Sequence, residues 1–204
     1  MTIADRAWFF WDVPFIAIFH QSKGGSIMFK QLCILAACCL ALQALGAERD
    51  GSRDFDFEAG IWNTHLKRLR EPLSGKPPVW VEYKGTSVVH MMLAGRANLI
   101  ELAVSGPVGR IEGVSLRLYQ PQTGQWTLNF ANIADGQLTT PMTGVFRDGF
   151  GEFFGQDTLR GRVIWVRFLI LPVTSDTYRF EQYFSADGGK NWELNWLATD
   201  TRVR

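Results

Sequence analysis

The sequence predicts an all-β protein, a single antiparallel up-and-down β-barrel of about ten strands preceded by a signal peptide. Three observations lead there. Short runs rich in Val, Leu, Phe, Tyr and Trp recur from Ile61 to the C-terminus, separated by clusters of Gly, Pro and Asp. No long helical pattern follows Ala47. The phrase Phe57-Glu58-Ala59-Gly60-Ile61-Trp62 opens the first run, where Gly60 lets the backbone turn sharply and Trp62 plugs one end of a small closed barrel.

Taken from the N-terminus, residues 28–47 read as a secretory signal. Lys30 supplies the positive start, Leu32 to Leu45 form an apolar run broken by Gln43, and small residues follow at Ala44, Gly46 and Ala47. Met28 is then the better start. Residues 1–27, whose aromatic run from Trp8 to Phe19 is interrupted by Asp12 and Pro14, read as an over-extended gene start or a disordered tail. Leu35-Ala36-Ala37-Cys38 also fits lipoprotein processing, with Cys38 as the anchor, but the apolar run continues past it through Leu42. The run is shorter than the roughly 18 to 20 apolar residues a membrane span needs. The expected mature product is residues 48–204, exported to the periplasm or the extracellular space and without an integral membrane span.

Cys33, Cys38 and Cys39 all fall within the signal. A mature chain without thiols has no disulfides, no zinc–thiolate centre and no cysteine nucleophile. Setting aside Arg6, Lys23 and Lys30 among the bases and Asp5 and Asp12 among the acids leaves 18 of each sign. A formally neutral domain argues against nucleic acid or an anionic membrane surface as the main partner.

Strands are expected near Ile61 to Leu69, Val79 to Val89, Ala97 to Val104, Val114 to Tyr119, Trp126 to Asn132, Met142 to Phe146, Glu152 to Gln156, Val163 to Ile170, Tyr178 to Ser185 and Trp192 to Thr199. The turns between them have the right chemistry. Gln120-Pro121-Gln122-Thr123-Gly124, Arg147-Asp148-Gly149-Phe150-Gly151 and Ala186-Asp187-Gly188-Gly189-Lys190 each place Gly where a positive φ is needed. Asp54 to Ala59 is suited to a short turn across one end of the barrel. A β-sandwich is the structural alternative, and the Trp62 plug favours closure.

Phe55-Asp56-Phe57 with Gly60-x-Trp62, Leu116-Arg117-Leu118-Tyr119-x-Pro121 leading to Gln125-Trp126, and Glu181-Gln182-x-Phe184-Ser185-x-Asp187-Gly188-Gly189-Lys190-x-Trp192-Glu193 together resemble a secreted bacterial family known as a domain of unknown function. That family resembles the calycins, the group of lipocalins and fatty-acid-binding proteins. The resemblance implies a calycin-like, lipocalin-like barrel and transfers no established activity. It also implies that Arg202 stacks on Trp62, so that Gly60, Trp62 and Arg202 form a structural plug and latch.

No catalytic or metal motif stands out. Ser185-x-Asp187-x-Gly189-x-x-Trp192 fits an Asp-box, but one copy makes no propeller. Asp187 is expected to tie its turn through backbone amides, and Trp192 to anchor the hairpin in the core. His65 and His90 each stand alone in a strand, so neither haem nor another cofactor is expected, and no metal site. Glu82, Glu101, Glu181 and Glu193 lie on strands, where a carboxylate buried in an apolar barrel serves as an acid or base and solvated charges on an outer face explain the same residues.

One pattern selects candidate ligand contacts. Ser115, Arg117 and Tyr119 alternate with Val114, Leu116 and Leu118, and Arg179, Glu181 and Tyr183 alternate with Tyr178, Phe180, Gln182 and Phe184. If the polar sides face inward, they line a cavity for an apolar or carboxylated ligand; if outward, they are a solvated wall. Parity within a strand does not choose. The candidate lining is Arg117, Tyr119, Arg167, Glu181 and Tyr183, extended by Trp165 and by the mid-strand amides Asn129 and Asn195. The expected function is binding of a small hydrophobic ligand. The alternatives are an isomerase, hydratase or lyase using a buried carboxylate, or a protein-interaction module whose barrel is filled with side chains.

Overall fold

The computed structural model describes residues 50–204; residues 28–47, expected to be a signal peptide, and the segment before them lie outside the described residues. Ten strands follow one another: β1 (Gly60–Leu69), β2 (Trp80–Met92), β3 (Ala97–Gly106), β4 (Gly109–Gln120), β5 (Gln125–Asn132), β6 (Met142–Arg147), β7 (Phe150–Leu159), β8 (Arg162–Thr174), β9 (Thr177–Ser185) and β10 (Glu193–Arg202). Each pairs antiparallel with its sequence neighbours, and β1 pairs with both β2 and β10, so the sheet is a closed up-and-down barrel. Every strand has a neighbour on both sides, although β5 and β6 pair over three residues only.

The hairpins that reverse the chain use the expected chemistry. Asp148-Gly149 and Arg160-Gly161 have positive φ at both residues (52° and 86°; 50° and 77°), the two-residue turn whose twist matches the flanking strands. Asp187 accepts the amides of Lys190 (3.0 Å) and Asn191 (2.9 Å) and the hydroxyl of Ser185 (2.7 Å). These bonds, that of Asn191 foremost, pull its carboxyl down to about 2. Trp192 differs from expectation. It packs half-buried on Phe154 of the outer wall, ring centres 6.1 Å apart, and not in the core.

Several strands run further than the sequence indicates, β4 reaching back through Gly113 to Gly109, and glycines stand inside extended and expected strands alike. Gly113 lies in β4, where an added Cβ would come 2.4 Å from the Ala131 carbonyl of β5. Gly85 and Gly144 face inward on β2 and β6, and a Cβ there would stand 2.0 Å from Ala103 O and 1.9 Å from Glu152 O. Such close backbone approach marks the corners at which a sheet bends into a barrel.

The chain enters at the end of the barrel where β1 begins. Two 3-10 turns, Gly51–Arg53 and Asp56–Glu58, cross that end and close it. Phe55 between them is fully buried, with edge contacts to Trp126 (4.8 Å) and Phe146 (4.9 Å). Trp126 Nε1 donates to Gly51 O (3.0 Å), and Trp62 Nε1 donates to Glu58 O (2.6 Å). Arg202, paired with Trp62 in register, lays its guanidinium 4.1 Å from the Trp62 ring centre and donates to Ala59 O and Phe57 O, both at 2.7 Å. Gly60, at φ 119°, makes the turn into β1 beneath that guanidinium. The opposite end carries the β1–β2, β3–β4, β5–β6, β7–β8 and β9–β10 connections.

Candidate functional site

The interior is hollow over its middle and its open end. A cavity of about 500 Å³ lies inside the wall, a volume in the range of small-molecule sites. The barrel is therefore not filled with side chains.

Strand register arranges the cavity in layers. The deepest contains Thr64 on β1, Asp200 on β10 and Tyr178 on β9, which pair in sequence across the three strands. Two residues along each strand stand Leu66, Ala198 and Phe180, an apolar ring continued by Ile100, Leu128 and Val166. Two further are Arg68, Trp196 and Gln182, near the open end. The mouth above them is lined by Arg70, Pro72, Asp157, Leu159 and Arg160.

The floor is polar and almost dry. Thr64 Oγ1 donates to Asp200 Oδ1 (2.5 Å) and stands 2.7 Å from Ser87 Oγ. Asp200 is 3% exposed. Burial pushes its carboxyl up to about 7; the bond from Thr64 opposes the rise, and the charge of Glu58 adds to it. Tyr178 has its hydroxyl driven well above the ordinary phenol range, first by burial and then by the nearby carboxyls of Glu58 and Asp200.

Beneath the floor lies a buried ion pair. Arg117 Nη1 donates to Glu58 Oε2 (2.6 Å), and its guanidinium sits 4.2 Å from the Phe55 ring centre. Burial raises the Glu58 carboxyl, and Arg117 offsets only part of that. Glu58 Oε1, Arg117 Nε and both amide atoms of Asn98, the register neighbour of Arg117, are buried and unbonded among the described residues. Arg117 is thus committed to Glu58. Its removal would strand a buried carboxyl, so it is not the stability-neutral ligand contact that an isolated cavity arginine would be.

Of the residues singled out by pattern, Arg117 and Asn195 line this cavity. Asn195 reaches it through a bulge in β10 and accepts from Gln182 Nε2 (2.7 Å). Tyr119 shares the inward parity of Arg117 but lies toward the closed end, its ring 5.4 Å from Trp126 and its hydroxyl accepting from Gly51 N (3.2 Å).

The others do not line the cavity. Asn129 has the outward parity on β5, and its Nδ2 donates to Thr139 O (2.9 Å). Trp165, 39% exposed, Arg167, Glu181 and Tyr183 stand on the outside of β8 and β9. There Arg167 bonds Glu152 (2.7 Å), and Tyr183 donates to Glu181 (2.6 Å), which also pairs with Arg179. Burial, then the bond to Glu181, lifts the Tyr183 hydroxyl to about 12. β4 and β9 thus turn opposite faces inward. β9 gives its aromatic face to the cavity, whereas β4 gives Ser115 and Arg117 and leaves Val114 and Leu118 exposed.

Asp200, Thr64, Ser87 and Tyr178 escaped the sequence reading. A signal was present, because Thr64 lies two residues after Trp62 and Asp200 two before Arg202, on the parity of the plug itself. His65 and His90 sit on the outer wall beside Glu82 (2.9 Å) and Glu101 (3.1 Å). Among the described residues no cluster of His, Cys, Asp and Glu could hold a metal ion, and no helix is long and apolar enough to cross a membrane.

The fold is similar to that of a known lyase. That protein is the S-type phycobiliprotein lyase CPES from Guillardia theta, 13% identical with a TM-score of 0.53, the match covering 77% of this chain and 94% of that one. The barrel EF1p2_mFAP2b, solved bound to DFHBI, is also similar, at 10% identity and a TM-score of 0.42 over 75% of this chain and 99% of its own. No family model and no curated protein matches this chain.

Proposed function

We propose that this chain is an exported, calycin-like barrel that binds a small, largely apolar molecule in its interior. The observation that carries this reading is the cavity of about 500 Å³, closed at one end by the Phe55 and Trp62 plugs, with an apolar waist between two polar layers. A hollow of this kind exposes apolar side chains to no partner of their own, and an apolar guest of matching shape gains the free energy of leaving water. Export rests on the signal-like segment of residues 28–47.

Native mass spectrometry of the exported protein, followed by release and identification of small molecules, tests the reading. A reproducible apolar adduct on a chain beginning near Glu48 supports both parts of it. An adduct-free chain that also leaves solvatochromic apolar dyes unbound overturns ligand binding, and a chain retaining residues 28–47 in the cytoplasmic fraction overturns export.

A second reading is favoured by one feature, the Asp200 carboxyl. Held near neutrality by burial and facing the cavity beside Tyr178, it has the proton affinity required of a general acid or base. Isomerisation, hydration or elimination on a bound ligand is the chemistry it would serve.

A further inference from the structure

We propose that the cavity takes an apolar molecule polar at both ends, with a hydroxyl at the floor and an anionic group at the mouth between Arg68, Arg70 and Arg160. This rests on the ligand-binding reading above and adds the ligand's chemical class and its direction of entry.

The floor is unsuited to an anion. The positive charge nearest to it, on Arg117, is already held by Glu58 at 2.6 Å, and a ligand carboxylate placed there would also face Asp200. Removing such a group from water with no free cation to receive it is unfavourable. A hydroxyl finds better company. Asp200, Thr64 and Ser87 offer acceptors and donors at the cavity surface, and the Tyr178 hydroxyl has no hydrogen-bond partner among the described residues.

The mouth has the opposite character. Arg68, Arg70 and Arg160 line it, and Asp157 is the one carboxylate among the lining residues of that end. None of the three guanidinium groups bonds a carboxylate among the described residues; Glu71 is engaged by Lys76 at 2.8 Å, and Glu193 accepts the Leu73 amide at 2.9 Å. Arg68 is positioned, its guanidinium 5.6 Å from the Trp196 ring centre. Flat guanidinium forks match a carboxylate or phosphate.

The span between the two ends sets the ligand's length. Thr64 and Arg68 are four residues apart on β1 and bracket the Leu66 layer, a separation of ~13 Å at ~3.3 Å per residue. An apolar skeleton of that length fills the waist while its two polar ends reach their layers.

The test uses the delipidated protein and isothermal titration with 12-hydroxydodecanoic acid, its methyl ester, dodecanoic acid and 1-dodecanol. The acid is expected to bind about tenfold tighter than the ester, since charge-assisted bonds are stronger than neutral ones. Combining Arg68→Gln, Arg70→Gln and Arg160→Gln, all at exposed positions, is expected to erase that preference, the acid losing more affinity than the ester. Tyr178→Phe is expected to weaken the hydroxy acid more than dodecanoic acid. Equal binding of acid and ester by the unaltered protein, or an acid preference that survives the triple substitution, overturns the proposal and leaves ligand binding standing. Failure of all the probes, 1-dodecanol included, overturns both.

Discussion

Asp200 shows how burial alone sets a residue's chemistry. It carries no countercharge of its own, and the Thr64 hydroxyl, not a cation, donates to it. The folded chain therefore holds the Asp200 proton up to about pH 7, whereas the unfolded chain releases it near 3.8. Between those values the native state binds more protons than the unfolded state. Stability contributed by this group is full at acid pH and falls as pH rises toward 7, by on the order of 1.4 kcal/mol per unit. Asp200→Asn keeps an acceptor for Thr64 and removes the charge. Urea unfolding should find this variant more stable than the parent at pH 8, with the gap shrinking steadily toward pH 4. A gap independent of pH would show that Asp200 has an ordinary carboxyl. Glu58, raised in the same direction by burial, interacts with Asp200, so the pH dependence of the gap reports the two carboxyls together.

At the scale of the strands, the glycines and bulges decide where side chains point. A bulge in β10 between Leu194 and Trp196 brings Asn195 to the cavity, and the parity after it carries Trp196, Ala198, Asp200 and Arg202 inward. Gly85 permits β2 to fold against β3, with room for hydrogen alone between it and the Ala103 carbonyl. Gly85→Ala should lower stability by about 1–3 kcal/mol, the usual cost of overpacking, and thermal unfolding would measure it. An unchanged midpoint would mean that the β2 corner relaxes without strain. The outer wall has its own order. Glu152, Arg167, Tyr183, Glu181 and Arg179 form a chain of polar contacts across β7, β8 and β9, which explains why residues that read as ligand contacts gather on the side away from the cavity.

Across the whole molecule the two ends of the barrel are built differently. The end where β1 begins is packed by Phe55, Trp62, Trp126 and Phe153, each at most 1% exposed, and latched by Arg202. The other end is hollow and rimmed with arginine. Local opening costs most where apolar contacts are densest. Hydrogen exchange should accordingly be slowest for strand amides around Trp62, Trp126 and Arg202, and faster for those of the same strands near Arg68 and Trp196. A uniform profile along β1 and β10 would contradict this polarity. A ligand that bridges the layers would slow the open end selectively, because bound states resist opening.

Local signals in the chain pointed to the barrel over a sandwich. Ten apolar runs between turn residues specify ten strands, and short hairpins leave an antiparallel meander as the simplest connection, since each turn chemistry acts over four residues or so. Gly60 and Trp62 of the plug were legible for the same reason, being two residues apart, whereas Arg202 as its latch was implied only by the resemblance to the calycins. What tertiary structure decided was which face of each strand turns inward. Alternation states that two faces differ, but β4 and β9 resolve the choice in opposite senses, because Glu58, arriving from the segment before β1, supplies Arg117 with a buried partner, while Glu181 finds Arg179 and Tyr183 on the outer wall. A charge can be buried only where its partner also lies, and for Arg117 that partner stands 59 residues away in the chain.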